Sequence, residues 1–203
     1  MKMKRLPSDF FKVPRQGSSV EIVSLLIAEP FMKDKWFGRS VIAIIDNNER
    51  EGTVGLVMNN PLATTLKDAL PSITTEGVPL YSGGPVGHDR LLFIHSVGND
   101  IIPGGAEISP GLWLGGNYES MVDYVNHGYP IEGHIRFFIG YSGWSSGQLY
   151  DELKSKTWAL TINPLSPAES LTGEGDAYWH KVVAGLGDEF RAWNILPRDI
   201  RAN

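Results

Sequence analysis

Arg136-Phe137-Phe138-Ile139-Gly140-Tyr141-Ser142-Gly143-Trp144-Ser145-Ser146-Gly147-Gln148-Leu149-Tyr150-Asp151-Glu152-Leu153 is the stretch around which the rest of the chain is read. Phe137, Phe138 and Ile139 form an apolar, β-favouring run. Gly140, Gly143 and Gly147 then break it, and glycines this closely spaced point to positive φ angles or close backbone approach. Ser145 or Ser146 is placed to cap a following helix, whose apolar positions Leu149 and Leu153 fall one turn apart. The local reading is therefore strand, glycine-punctuated turn, helix start. Such a turn presents free backbone N–H groups to an anion or a carbonyl.

Outward from this stretch, apolar runs bounded by Gly, Pro, Asn and Asp mark strands. Val20 to Ala28 is one, ended by Glu29-Pro30, and Ser40 to Ile45 is the next. Asp46 to Gly52 reads as a turn, Thr53 to Met58 as a third strand, and Asn59-Asn60-Pro61 as its stop. Thr64 or Thr65 caps a short helix that ends before Pro71. Pro79 to Ser82, Leu91 to Ser96, Ala106 to Ser109, Leu112 to Leu114 and Trp158 to Ile162 read as further strands. Asn117 caps a helix over Tyr118 to Asn126, and Ala177 to Ala184 is helical in pattern. Pro164 to Gly175 and Trp193 to Asn203 read as irregular. Runs of strands followed by scattered helices make an α+β pattern rather than a regular βαβ alternation.

Residues 1–19 read as an N-terminal arm, with Lys2, Lys4, Arg5, Lys12 and Arg15 around Phe10 and Phe11, and 20–203 as the folded domain. No apolar run approaches the roughly 20 residues of a membrane helix, and no apolar segment follows the basic N-terminus, so a cytoplasmic protein is expected. Cysteine is absent, which excludes disulfides, thiol catalysis and thiolate metal sites. The formal net charge of −5 counts against direct nucleic-acid binding, which draws on a basic face.

Several motifs in order resemble the YqgE/AlgH family of bacterial proteins. Gly140-Tyr141-Ser142-Gly143-Trp144 with Gly147-Gln148-Leu149 is similar to that family's GY-A/S-GW-x-x-GQL signature. Leu26 to Pro30, Phe37 to Val41, Gly52 to Pro61 and Tyr81 to Val86 match further segments. The resemblance implies one α+β domain with a branched sheet curled into a pseudo-barrel and helices packed outside. For some family members it also implies a label as transcriptional regulator. Two departures bear on chemistry. Asp46-Asn47-Asn48 stands where the family often has Glu-His-Asn, and Asn60 replaces a basic residue before Pro61.

Ser142, between a strand and a helix, invites comparison with a hydrolase nucleophile elbow. Trp144 stands where G-x-S-x-G needs glycine, and the family often has alanine at the position of Ser142. The alternatives are glycines shaping a turn under Tyr141 and Trp144, or a binding site on that turn. Gly83-Gly84-Pro85-Val86 is a second glycine cluster, with neither P-loop nor G-x-G-x-x-G spacing. His88, His95, His127, His134 and His180 form no metal-ligand spacing; His95 reads as a buried, satisfied imidazole. Trp144, a large aromatic among glycines and serines, is a candidate surface platform.

The sequence thus leads to a non-enzymatic binding or regulatory protein with an unidentified protein or small-molecule partner. Its contact face is expected from Asn59, Tyr81, Gly83, Gly84, Pro85, Tyr141, Ser142, Gly143, Trp144, Gly147 and Gln148. No catalytic residue, metal ligand, cofactor or membrane contact is assigned. The alternatives are a transcriptional regulator using the basic arm, and a hydrolase or metal-dependent enzyme using His95 or His127 with Asn59.

Overall fold

Ten strands form one branched sheet in a computed structural model that describes residues 20–22 and 24–197. The expected arm of residues 1–19, with Phe10 and Phe11, lies outside the described residues, as does 198–203. In chain order the strands are β1 (Ser24–Ala28), β2 (Val41–Asn48), β3 (Gly52–Val57), β4 (Pro61–Thr65) and β5 (Pro79–Ser82). They continue with β6 (Val86–His95), β7 (Ala106–Ser109), β8 (Leu112–Leu114), β9 (Ile135–Trp144) and β10 (Trp158–Ile162). The main path runs β10-β1-β2-β3-β9-β6-β8-β7, with β5 on the flank of β9 and β4 on β5. All pairs are antiparallel except β5 with β9. The fold is α+β, its sheet strongly curled into a half-barrel.

The helices are α1 (Leu66–Ala69), α2 (Tyr118–Asn126), α3 (Gln148–Lys154), α4 (Pro167–Ser170), α5 (Gly175–Ala184) and α6 (Arg191–Ile195). Alternation along β9 distributes the core. Phe138 joins Tyr178, Trp179, Val182 and Val183 of α5 in one apolar cluster. Phe137 faces the other way, into a cluster with Met121, Tyr124 and Val125 of α2. Trp144 and Trp158 pack with Leu149 of α3 in a third.

Local signals act as their chemistry dictates. Asn117 caps α2 by accepting from Ser120 N–H at 2.8 Å. After α3, Lys156 takes φ 60°, and Lys156 N–H and Thr157 N–H return to the carbonyls of Leu153 and Glu152, closing a Schellman motif.

Several expectations are corrected. The glycine-rich stretch is no turn: β9 runs unbroken to Trp144, because Tyr141, Ser142 and Gly143 are paired against neighbouring strands rather than reversing the chain. The turn is confined to Ser145–Gly147, and Gly147 at φ 79°, not a serine, stands at the N-terminus of α3. Strand β2 extends through Asn48, where a turn was expected from Asp46; Asn59-Asn60 does end β3, but an unexpected strand, β4, begins at Pro61. The stretch 164–175 contains α4, whose capping box joins Ser166 and Glu169. Trp193, read as part of an irregular tail, is buried in α6.

Candidate functional site

The two glycine clusters meet where the sheet forks. Strand β9 lies beside β5 up to Ser82↔Ile139, then beside β3 from Gly55↔Ser142. On its other flank it pairs with β6 from Ile135 to Tyr141, across both partners' change-over. Changing partners within three residues forces backbones together, and the glycines answer that crowding. A Cβ on Gly83 would sit 2.2 Å from the Gly140 carbonyl oxygen. One on Gly84, at φ 150°, would sit 2.3 Å from the Tyr141 carbonyl carbon. No side chain fits at such distances.

Polar groups at the fork are satisfied internally. Gly83 N–H donates to Ile139 O at 2.9 Å, and Gly83 O accepts from Val57 N–H at 2.9 Å and Ser142 Oγ at 3.1 Å. Ser142 is wholly buried, and its hydroxyl proton is aimed at a carbonyl rather than at a base. Asn59 is buried as well. Its Oδ1 accepts from Val41 N–H at 2.9 Å, and its Nδ2 donates to Arg39 O and Gly175 O at 3.0 and 2.9 Å. That side chain straps the end of β3 to β2 and to the start of α5.

Tyr81 is also inside the protein. The Arg136 guanidinium lies 4.3 Å from its ring centre, and Tyr81 Oη reaches Glu174 Oε2 at 3.5 Å. Desolvation raises the Tyr81 phenol above its usual range, and Arg136 offsets part of that shift. Tyr178, buried beside the same guanidinium, is pushed up to about 12 by desolvation. Arg136 itself is 2% exposed and donates to Met58 O and, at 2.8 Å, to Gly173 O. Its sequence signal is a charged residue between Ile135 and Phe137 at the start of an apolar run, where only a paired charge can be buried.

Trp144 is 5% exposed, so the expected surface platform is instead a core ring. Its Nε1–H and that of Trp158 both donate to Oε2 of Glu152, at 3.0 and 2.8 Å. Gln148 lies exposed on α3 and donates from Nε2 to Oε1 of the same carboxylate. Gly147 is exposed in the turn that precedes it.

The outer side of the fork differs. Between Val86↔Tyr141 and Leu91↔Ile139 the register of β6 slips, and residues 87–90 bulge outward opposite Gly140. His88 folds back over Gly140, with Nε2 3.1 Å from Gly84 O, and its ring lies 5.6 Å from that of Trp36. Tyr141 is half-buried beside Gly87 and Gly143, where added Cβ atoms would meet its ring at 2.6 and 3.7 Å. Pro85 and Gly143 are exposed, and Val86 keeps 42% of its surface open. Of the expected contact set, Pro85, Tyr141, Gly143, Gly147 and Gln148 reach the surface, whereas Asn59, Tyr81, Gly83, Gly84, Ser142 and Trp144 lie within. Trp36 and His88 join the surface group unannounced, since only the bulge in β6 brings His88 over Gly140 and beside Trp36.

His95 is fully buried, as read, but only half satisfied. Its Nε2 meets Gly115 O at 3.1 Å, and its Nδ1 has no partner among the described residues. Desolvation holds its pKa below the usual imidazole value. His127 is exposed, with Nδ1 2.7 Å from Asp123 O. Among the described residues no three His, Asp or Glu side chains are grouped to hold a metal ion, and no helix is long and apolar enough to cross a membrane.

Comparison with known proteins agrees with this architecture. A family model described as AlgH-like matches residues 25–191. A UPF0301 protein of Parabacteroides distasonis is 37% identical over 188 residues, covering 92% of this chain and 90% of its own. A UPF0301 protein of Bacteroides thetaiotaomicron is 36% identical over 194 residues, covering 95% and 96%. The solution structure of the AlgH protein from Pseudomonas aeruginosa superposes with a TM-score of 0.64 at 26% identity, covering 91% of this chain and 98% of that one. A crystal structure from Corynebacterium diphtheriae shares the fold with a TM-score of 0.69 at 21% identity, covering 90% and 95%.

Proposed function

The chain belongs to the AlgH-like family, and we propose that it is a non-enzymatic binding protein whose contact face covers the outer side of the strand fork. The observation that carries this reading is the group Tyr141, Pro85, Val86, Trp36 and His88. It is an aromatic and apolar surface laid over a backbone locked by close glycine contacts. Rigid aromatic anchors at low entropic cost are what a recognition face requires. The neighbouring polar groups favour binding over chemistry. Ser142 is engaged inside, Asn59 is used by three backbone groups, and His88 is turned toward a carbonyl.

The partner is a protein or small molecule held by stacking and apolar contact. Any regulatory role is exercised through that partner rather than by direct DNA contact. The test is thermal unfolding against a panel of nucleotides, phosphosugars and amino acids, together with capture of protein partners. Both are run on the wild type, Val86→Lys and Trp36→Ala. Binding that disappears in both variants, with unchanged far-UV circular dichroism, supports the face. A ligand or partner held equally by all three proteins refutes it. A low-salt gel shift with duplex DNA that gives a complex refutes the indirect mode.

A further inference from the structure

Helix α6 is tied to the body of the protein at one polar point. Among the described residues, two hydrogen bonds join 191–197 to elements earlier than Gly187. Leu196 O accepts from Arg39 Nη2 at 2.6 Å, and Asn194 Oδ1 meets His180 Nδ1 at 3.0 Å. The two converge, because Arg39 Nη1 also reaches His180 Nε2 at 3.3 Å and Asp176 Oδ2 at 3.2 Å. Ring packing does the rest. Trp193 stacks on Trp179 of α5 with ring centres 6.1 Å apart and planes 5° apart, and Phe190 meets it edge-on. Both tryptophans are buried, whereas His180 and Asn194 are only half-buried, so protons from solvent reach the imidazole.

The tautomer follows from the donors. A guanidinium only donates, so Nε2 is bare and the single ring proton sits on Nδ1, pointed at Asn194 Oδ1. With its amide turned over, Asn194 would face Nδ1 with Nδ2 and meet Ala184 N–H with Oδ1 at 3.3 Å, but the ring proton would then stand on Nε2 against Arg39. Asp176 and Leu196 O keep the guanidinium from turning away. We infer that His180 is a pH-sensitive latch on the C-terminal segment: the neutral ring joins Arg39 to α6, and a second ring proton, on Nε2, opens the joint. That proton removes the acceptor for Nη1 and sets two cations 3.3 Å apart. Imidazole is the side chain that ordinarily changes charge between about pH 5 and 8. The charged groups facing the ring are Arg39 from the entry to β2 and Asp176 from its own helix, and α6 presents the neutral Asn194. Asp176 is already committed to Arg39 and keeps 36% of its side chain exposed, so it offsets little of the repulsion. Lys181 turns to the carbonyls of Glu169 and Thr172, Asp188 and Arg191 pair with each other, and Glu189 lies exposed on the turn before α6. The latch is independent of the contact face over the fork.

Hydrogen exchange over 188–197, read by mass spectrometry on the full chain and corrected for the intrinsic pH dependence of exchange, tests the latch. In the wild type, protection of this segment falls as the pH is lowered from about 7.5 to about 5.5, by up to about tenfold per pH unit, while β9 stays protected. His180→Gln offers Arg39 an oxygen and Asn194 an N–H but does not titrate, so its protection over 188–197 no longer depends on pH. His95→Gln leaves the wild-type response in place. Nitrogen-15 shifts of the wild-type His180 ring at about pH 8 give a readout that needs no variant: Nδ1 is protonated and Nε2 bare. Four outcomes overturn the latch. They are protection in the wild type that does not change with pH, the same fall in His180→Gln, a parallel fall in β9 that marks global acid unfolding, and a ring proton found on Nε2.

Discussion

Glu152→Ala should destabilise the fold far more than removal of a partly exposed surface carboxylate ordinarily does. One oxygen of Glu152 accepts from two indoles, Trp144 at 5% exposure and Trp158 at 2%. Removing it strands both N–H groups where water has little access. A hydrogen bond to a charged group contributes about 1.5–3 kcal/mol, and orphaning a buried donor costs a similar amount. Because both bonds end on one atom and some water can enter beside the shortened side chain, the lower end applies. The expected loss is about 3 kcal/mol, or roughly 6–12 °C in midpoint for a chain of this size. Glu152→Gln, which keeps one acceptor oxygen without the charge, should lose about half as much. The assay is urea and thermal unfolding, with tryptophan emission recorded in the folded state. A midpoint shift below about 2 °C for Glu152→Ala would refute the clamp. So would a double-mutant cycle with Trp144→Phe that shows no coupling.

Two further outcomes follow from groups inside the barrel. His95 is held below its unfolded value near 6.5, so below that pH the unfolded chain binds the extra proton; stability is full above about 6.5 and falls as pH drops toward the folded value. His95→Gln, which can still reach the Gly115 carbonyl, should flatten that part of the stability profile between pH 7.5 and 5, and an unchanged slope would count against it. Gly83→Ala places a methyl 2.2 Å from a backbone oxygen and should cost about 3 kcal/mol or more by denaturant unfolding; Gly77→Ala, with open space but φ 72°, should cost only about 1 kcal/mol.

Strands with one clear apolar run were legible. Residues 79–82, 106–109, 112–114 and 158–162 and the helix at 118–126 fall where periodicity and caps put them. What failed was the meaning of glycine. Three glycines between an apolar run and an amphipathic helix look like a turn when read locally. In the fold, Gly140 and Gly143 belong to a strand that must pass close to β5 and β6, and only the partner strands supply that reason. The same limit applies to the surface face. Trp36 and His88 are distant in sequence and share no spacing rule, so their meeting beside Gly140 depends on the bulge in β6. Burial of Trp144 was equally out of reach, because nothing in the sequence marks Glu152, an acid on the next helix, as the partner of its indole N–H.

Strand β9 has a cost that appears only in time. It is the common neighbour of β3, β5 and β6, yet it is made after all three, and β1 finds its second partner, β10, later still. As the chain leaves a ribosome, the β1–β2–β3 meander must wait with the exposed apolar edge of β3 until residues 135–144 arrive. Such long-range pairing slows folding and prolongs the interval in which unpaired edges are open to aggregation. Nascent chains that end before β9 should therefore be the ones most dependent on a chaperone.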